Sequence, residues 1–207
     1  MNSKLNRTRL IAGCGILIAV AVILQYIEIS IPIMPAFLKL DFSDLPEIIG
    51  AFAYGPLAGC VITIIKNIIH MAVSQSGFVG ELSNAILGCV FCLVAGFWYK
   101  SHKNKKGAII GGILGTVAMA IVSVPSNYFI IYPMYYNILM LPEPVVLGMY
   151  QVLLPVNSIF EALLIFNVPF TLVKGLIDVF FCTLIYKRIS ILLNGADCHP
   201  NRSLWPS

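Results

Sequence analysis

Residues 10–27 read LIAGCGILIAVAVILQYI, with Lys4, Arg7 and Arg9 just ahead of them and no charged side chain within. A helix needs about 20 predominantly apolar residues to cross the hydrocarbon core of a bilayer, so this run reads as a membrane span. It continues past the length of a signal-peptide core and lacks the small-residue exit of a cleavage site, so it reads as retained. Composition extends the reading to the whole chain: of 207 residues, 59% are hydrophobic and 11% charged. A soluble domain carries about a quarter charged residues, so a water-soluble monomer is excluded and an all-α integral membrane protein is expected.

Outward from that first segment, five more apolar stretches follow, giving six helices at about 10–27, 45–53, 57–73, 80–99, 108–132 and 159–186. They form one membrane domain over residues 1–193, followed by a polar tail over 194–207. The stretch 45–53 is too short to span alone; it fits if it is tilted, continues into the preceding loop, or ends inside protein. Tyr54-Gly55-Pro56 separates it from the next helix as a turn. Pro142, Pro144, Gly148 and Pro155 punctuate the connection from residue 133 to 155, which is expected to pack on the outer face of the bundle. Six crossings put both termini on one side. Lys4, Arg7, Arg9, Lys100, Lys103, Lys105, Lys106, Lys187, Arg188 and Arg202 all fall on that side, which the positive-inside rule makes the cytoplasm.

Several functions are set aside. An excess of 13 Lys and Arg over 9 Asp and Glu is too small to suggest nucleic-acid binding. Cys89 and Cys92 form a Cys-x-x-Cys pair amid Leu, Val and Phe with no His nearby, and read as buried small hydrophobes. His70, His102 and His199 fall on different sides and lack metal-ligand spacing, so no metal site is expected. No Gly-x-x-x-x-Gly-Lys-Ser/Thr loop and no Gly-x-Ser-x-Gly elbow occurs, so the chain neither hydrolyses ATP nor resembles a serine hydrolase.

Cations left over from the basic clusters are Lys39, Lys66 and Lys174. An ionisable group at membrane depth costs several kcal/mol unless it is paired or hydrated, and is a functional-site candidate by default. Lys66 with His70, and Lys174 with Asp178, are each four apart and share a helix face. For Lys174 the open readings are an internal ion pair with Asp178 or a ligand contact; for Lys66, Asn67 and His70 they are helix–helix hydrogen bonding, closeness to the membrane surface, or ligation. Glu81, Asn84, Asn127 and Thr171 complete a thin set of polar groups on the outward halves of the later helices. Apolar and aromatic walls with a few directional groups suit a flat, mostly neutral small molecule. Asparagine offers a donor and an acceptor together, matching an imide edge, and a lysine can donate to its carbonyls.

Six blocks of the sequence carry a family resemblance. The first is Pro35-Ala36-Phe37-Leu38-Lys39-Leu40-Asp41-Phe42-Ser43-Asp44-Leu45-Pro46, followed by Gly55-Pro56-Leu57-Ala58-Gly59 and Lys66-Asn67-Ile68-Ile69-His70. Then come Gly80-Glu81-Leu82-Ser83-Asn84, Asn127-Tyr128-Phe129 with Tyr132-Pro133-Met134-Tyr135, and Pro169-Phe170-Thr171-Leu172-Val173-Lys174-Gly175. In this order, over about residues 7–192, they resemble the substrate-binding S components of energy-coupling factor (ECF) vitamin transporters, and among them the riboflavin-specific branch.

The resemblance implies a six-helix protein holding riboflavin as transported ligand in an outward pocket, with no cofactor and no catalysis. Asn127, Thr171 and Lys174 would contact the polar edge of the ring, Glu81 and Asn84 would belong to the pocket, and Lys39, Leu40 and Asp41 to its lid. Thr171 departs from the family motif, which commonly has Asn there. Implied partners are a transmembrane T component and two ATPase subunits. Ala12, Gly15 and Ala19 form a small-residue face suited to close helix approach; it would dock on the T component or serve ordinary packing within the bundle. Beside this reading stand an S component for another vitamin such as thiamine and, from a different class, an intramembrane hydrolase or transferase.

Overall fold

The computed structural model describes residues 2–30, 39–74, 77–152 and 154–196, with side chains described from residue 7 to 185 within those ranges, Ser30 excepted. Residues 35–38 of the first-loop block and 197–207 of the tail lie outside the described residues. In chain order the elements are α1 (Asn2–Tyr26), β1 (Ile29–Ser30), β2 (Lys39–Leu40), α2 (Asp44–Tyr54), α3 (Pro56–His70), α4 (Val79–Ser101), α5 (Lys105–Ser126), α6 (Tyr132–Ile138), α7 (Glu143–Gln151), α8 (Ile159–Ala162) and α9 (Val168–Ala196). A 3-10 turn (Met71–Val73) closes α3, and π turns (Asn127–Ile131 and Leu163–Asn167) join α5 to α6 and α8 to α9.

Among the described residues, five helical stretches are long and apolar enough to cross a membrane: Arg7–Tyr26, Pro56–Val73, Val79–Ser101, Lys105–Ile138 and Ile159–Ile185. The remaining expected segment, α2, has 11 residues and so reaches about 16 Å, roughly half the hydrocarbon thickness. It is enclosed by protein instead. It packs on α1, α3, α4 and α9, and Asp44, Glu47, Ile48, Gly50, Ala51 and Phe52 are buried. Asp44 and Glu47 occupy its first turn, where acidic side chains oppose the positive end of the helix dipole. Gly55 ends it with φ at +103°, a conformation that favours glycine, and Pro56 at once starts α3 in the opposite direction.

Prolines also explain the two π turns. Pro133 and Pro169 each stand two residues beyond such a turn. A proline has no N–H for the residue four back and its ring crowds that carbonyl; the widened turn accommodates this without ending the helix. The connection from 133 to 155 therefore carries helices, and Tyr135, Val146 and Tyr150 bury against Val79, Ile159, Leu163 and Phe166 in one apolar cluster. A second cluster gathers Ile48 and Phe52 of α2 with Phe91, Ala95 and Tyr99 of α4 and with Met119 and Val179. Lys39–Leu40 pairs antiparallel with Ile29–Ser30, Ile29 facing Leu40, and this short ladder anchors the first loop beside the end of α1. The last helix continues to Ala196, beyond the apolar run that ends near residue 186.

Glycines permit close helix contact where α3 begins. A Cβ at Gly96 would lie 2.9 Å from both Cα and Cβ of Pro56. Gly96→Val is expected to force α3 and α4 apart and lower stability by about 1–3 kcal/mol, read as the unfolding transition of the detergent-solubilised protein. Gly15→Ala is the control: a Cβ there meets nothing within 4 Å, and the change is expected to be neutral or to add up to about 1 kcal/mol of helix propensity.

Candidate functional site

Most of the polar residues singled out in the sequence, though not Lys66, Asn67 or Asp178, converge on one cavity of about 530 Å³, within the usual range for a small-molecule site. It is enclosed by the end of α1, the β2–α2 junction, the end of α3, the first half of α4, the end of α5 with its π turn, and the start of α9. Lys39, Asp41, Glu81, Asn84, Asn127, Thr171 and Lys174 all line it; Leu40 is not among its lining residues.

Its floor is an ion-pair lattice. Lys66, wholly buried, places its Nζ 3.0 Å from Asp44 Oδ1 and 2.5 Å from Glu47 Oε1, and also donates to the Ser43 hydroxyl. From the opposite helix, Lys174 Nζ lies 3.0 Å from Asp41 Oδ2 and 3.0 Å from Asp44 Oδ2. Asp41 in turn accepts from the Ser43 amide at 2.8 Å and from the Ser43 hydroxyl. Burial pushes the Asp41 carboxyl up, but the Lys174 and Lys66 ammoniums and the two Ser43 hydrogen bonds outweigh it and hold it below the usual carboxylate range. The acidic start of α2 and the end of the first loop are thereby fastened to α3 and α9 together. Asp178, one of the two partners left open for Lys174, makes no hydrogen bond to it: it is 1% exposed and neither of its carboxylate oxygens has a hydrogen-bond partner among the described residues. Lys174 reaches toward the loop because two carboxylates meet it there.

A second polar group borders the cavity where α1, β2, α3 and α4 meet. Lys39 pairs with Glu28. His70 Nδ1 lies 3.0 Å from Glu81 Oε1, and its Nε2 3.8 Å from Glu28 Oε1; Ser74 Oγ donates to Glu81 Oε2 at 2.8 Å. Gln25 donates to Asn67 Oδ1 at 3.0 Å while Asn67 Nδ2 donates to the Thr63 carbonyl at 2.8 Å. Lys66 and Asn67 thus hold helices together, whereas His70 faces the cavity. On the far side, Ser83 Oγ donates to Asn127 Oδ1 at 3.3 Å.

Sequence reading passed over several lining residues. Gln25, Glu28 and Asp44 sit at helix ends or loop borders, where polar residues ordinarily signify nothing. Asn167 carried a usable signal, since it precedes Thr171 by four residues and Lys174 by seven, the spacing of one helix face. Tyr132 and Tyr135 also line the cavity, although an apolar helix rich in tyrosine reads first as membrane-interface chain. Aromatic rings, the amides of Gln25, Asn84, Asn127 and Asn167, and the ammoniums of Lys39 and Lys174 around one hollow suit a flat ligand recognised at its carbonyl and N–H groups.

Comparison with known proteins meets this geometry from the other side. Residues 9–186 match the family described as "ECF transporter, substrate-specific component". Riboflavin transporter RibU of Staphylococcus aureus (strain TCH60) is 31% identical over 194 residues, which cover 93% of this chain and 95% of that protein. Riboflavin transporter FmnP of Bacillus subtilis (strain 168) is 32% identical over 178 residues, covering 84% and 88%. Among solved structures, the S component of a bacterial ECF transporter superposes with a TM-score of 0.71 at 29% identity, over 90% of this chain and 98% of that one.

The lattice makes a direct prediction. Replacing Lys174 by Met leaves Asp41 and Asp44 to a single ammonium, and removing one partner of a buried pair costs about 3–5 kcal/mol. Chemical or thermal unfolding of the solubilised protein is expected to show a loss of that size; a loss under about 1 kcal/mol, typical of exposed pairs, would mean that these charges are solvated.

Proposed function

The chain belongs to the substrate-specific component family of ECF transporters, and from that premise we propose that it captures riboflavin on the outer side of the plasma membrane, in the cavity described above. It is a multi-pass membrane protein and a transporter subunit, not an enzyme. The observation that carries the riboflavin reading is the gathering of Asn127, Thr171, Lys174, Glu81 and Asn84 around one cavity beneath the Lys39–Asp41 segment. Residues scattered over more than a hundred positions meet there, and their groups are those an isoalloxazine edge would engage. The riboflavin transporters of S. aureus and B. subtilis support the same ligand.

Polarity of the site follows from charge. The cavity draws on the first half of α4, the end of α5 and the start of α9, whereas the basic turn Lys100–Lys106 joins α4 to α5 at their other ends. With that turn in the cytoplasm, the cavity opens outward and both termini lie inside, as six crossings require. In this reading α2, too short to cross alone, makes the return crossing from α1 to α3 together with the loop end that enters the bundle ahead of it.

Capture needs no energy input, but net uptake does. Lacking an ATP-binding loop, the chain depends on partners, which we take to be a transmembrane T component and two ATPase subunits. The small-residue face of α1 supports this assignment: Ala12, Gly15 and Ala19 are exposed, and nothing in the bundle stands within 4 Å of a Cβ added at Gly15. A partner helix can approach there closely.

Titration of riboflavin fluorescence with the purified protein tests the ligand. Quenching that saturates at one equivalent is expected, with Asn127→Ala and Glu81→Gln each weakening it about tenfold, the scale of one buried hydrogen bond to a polar group, and with no product formed over time. Unquenched riboflavin would point to a different vitamin; conversion of a lipid-like substrate that Glu81→Gln abolishes would point to an enzyme.

A further inference from the structure

Asn167 belongs neither to the ion-pair floor nor to the set of residues that the family pattern supplies, yet it lines the cavity. With Thr171 and Lys174 it forms one column at intervals of four and three residues, the spacing that stacks side chains on a helix face. Tyr150, which does not line the cavity and is wholly buried, donates its hydroxyl to Asn167 Oδ1 at 2.9 Å. A carbonyl oxygen only accepts, so the single proton of Tyr150 is committed to it. The contact between the Tyr150 and Tyr132 hydroxyls must therefore be donated by Tyr132. Protons run in one direction, from Tyr132 to Tyr150 to Asn167, and each bond polarises the next. Burial first, and the adjacent Tyr132 second, raise the Tyr150 hydroxyl far above its ordinary value, so it remains a donor at every physiological pH.

The consequence falls on the amide. With Oδ1 accepting from Tyr150, the amide is left with its nitrogen as the group that donates. Its nitrogen carries two protons; one can meet the adjacent Tyr132 oxygen, and the other is left for the cavity. Asn127 is held in the same sense, its Oδ1 accepting from Ser83. Each π turn thus contributes one cavity amide, Asn127 at the first position of one and Asn167 at the last position of the other, and each amide has its carbonyl occupied by a hydroxyl.

We propose that Asn167 is a further ligand-reading residue of this cavity, donating to a carbonyl oxygen of a flat dione-type ligand, and that Tyr150 is the positioning residue that aims it. Thr171, one turn along the same face, carries a hydroxyl with a single donor, and Asn167 adds an N–H beside it. The inference rests on the riboflavin reading above and specifies which amides discriminate.

Riboflavin titration of the purified full-length chain provides the test. Asn167→Ala is expected to weaken binding about tenfold. Tyr150→Phe keeps the ring and removes only the hydroxyl, and is expected to weaken binding about threefold to tenfold. In the Asn167→Ala background Tyr150→Phe should cost nothing further, because the tyrosine acts through the amide; a purely structural role would give the same added loss in both backgrounds. If Asn167→Ala does not fold, Asn167→Asp, nearly isosteric but with an acceptor in place of the donor, carries the same expectation. Binding within twofold of the unsubstituted chain for the folded Asn167 variant, or additive losses in the double variant, would overturn the proposal. A failure of the unsubstituted chain to quench riboflavin would instead overturn the ligand assignment itself.

Discussion

Lys66 and Lys174 bring positive charge into a bundle whose outer surface meets hydrocarbon, and their partners come from one short stretch, Asp41 to Glu47. Each ammonium would cost several kcal/mol there unmatched. The carboxylates of the stretch could not stay ionised in the core without the lysines either. The two sides are therefore mutually dependent: α3 and α9 carry the cations, the loop end and the start of α2 carry the anions, and neither half is stable in the interior alone. That constraint fixes α2, which is too short to cross the bilayer and has its N-terminus anchored inside protein.

Anchoring by charge differs in kind from anchoring by apolar burial. Hydrophobic contact is tolerant of sliding and nearly indifferent to orientation, whereas a buried ion pair loses most of its energy once geometry fails. The Ser43–Asp41–Lys174 contacts set the position of the loop end beside the cavity. The short ladder between Ile29–Ser30 and Lys39–Leu40 and the Lys39–Glu28 pair add a second fixed point nearer the end of α1.

Much of this was legible in the sequence, because membrane helices announce themselves by length and apolarity. The five long spans and the shortness of α2 follow from those properties alone. Glu81, Asn84, Asn127, Thr171 and Lys174 stood out as polar groups in apolar surroundings, Lys39 and Asp41 entered as lid residues through the family resemblance, and the fold brings all seven to one cavity. What could not be read was pairing. Lys174 and Asp178 share a helix face, which local spacing favours, but the partner of Lys174 is 133 residues away, and no periodicity reports a contact of that range. The π turns were illegible for a related reason: a proline inside an apolar run signals disturbance without saying whether the helix kinks, stops or widens. Asn167 was within reach through its spacing to Thr171 and Lys174, but an isolated amide in a helix reads equally well as a helix–helix hydrogen bond.

Lys174 joins the anchor to the cavity, which it also lines. An ammonium has three protons. In this structure Asp41 and Asp44 engage it at 3.0 Å each, which leaves one donor facing the cavity that Lys174 lines. Under the proposed ligand assignment, a neutral ligand with a carbonyl oxygen would take that proton while both carboxylates stay in place, and the end of the first loop would stay fastened. An anionic ligand would compete with Asp41 and Asp44 for the same charge, and its gain would be offset by the loss of the pairs that hold the first loop down. The lattice thus favours an uncharged carbonyl edge over an acid. It does so without any group built to repel acids, because the cation that would attract them is already committed to holding the fold.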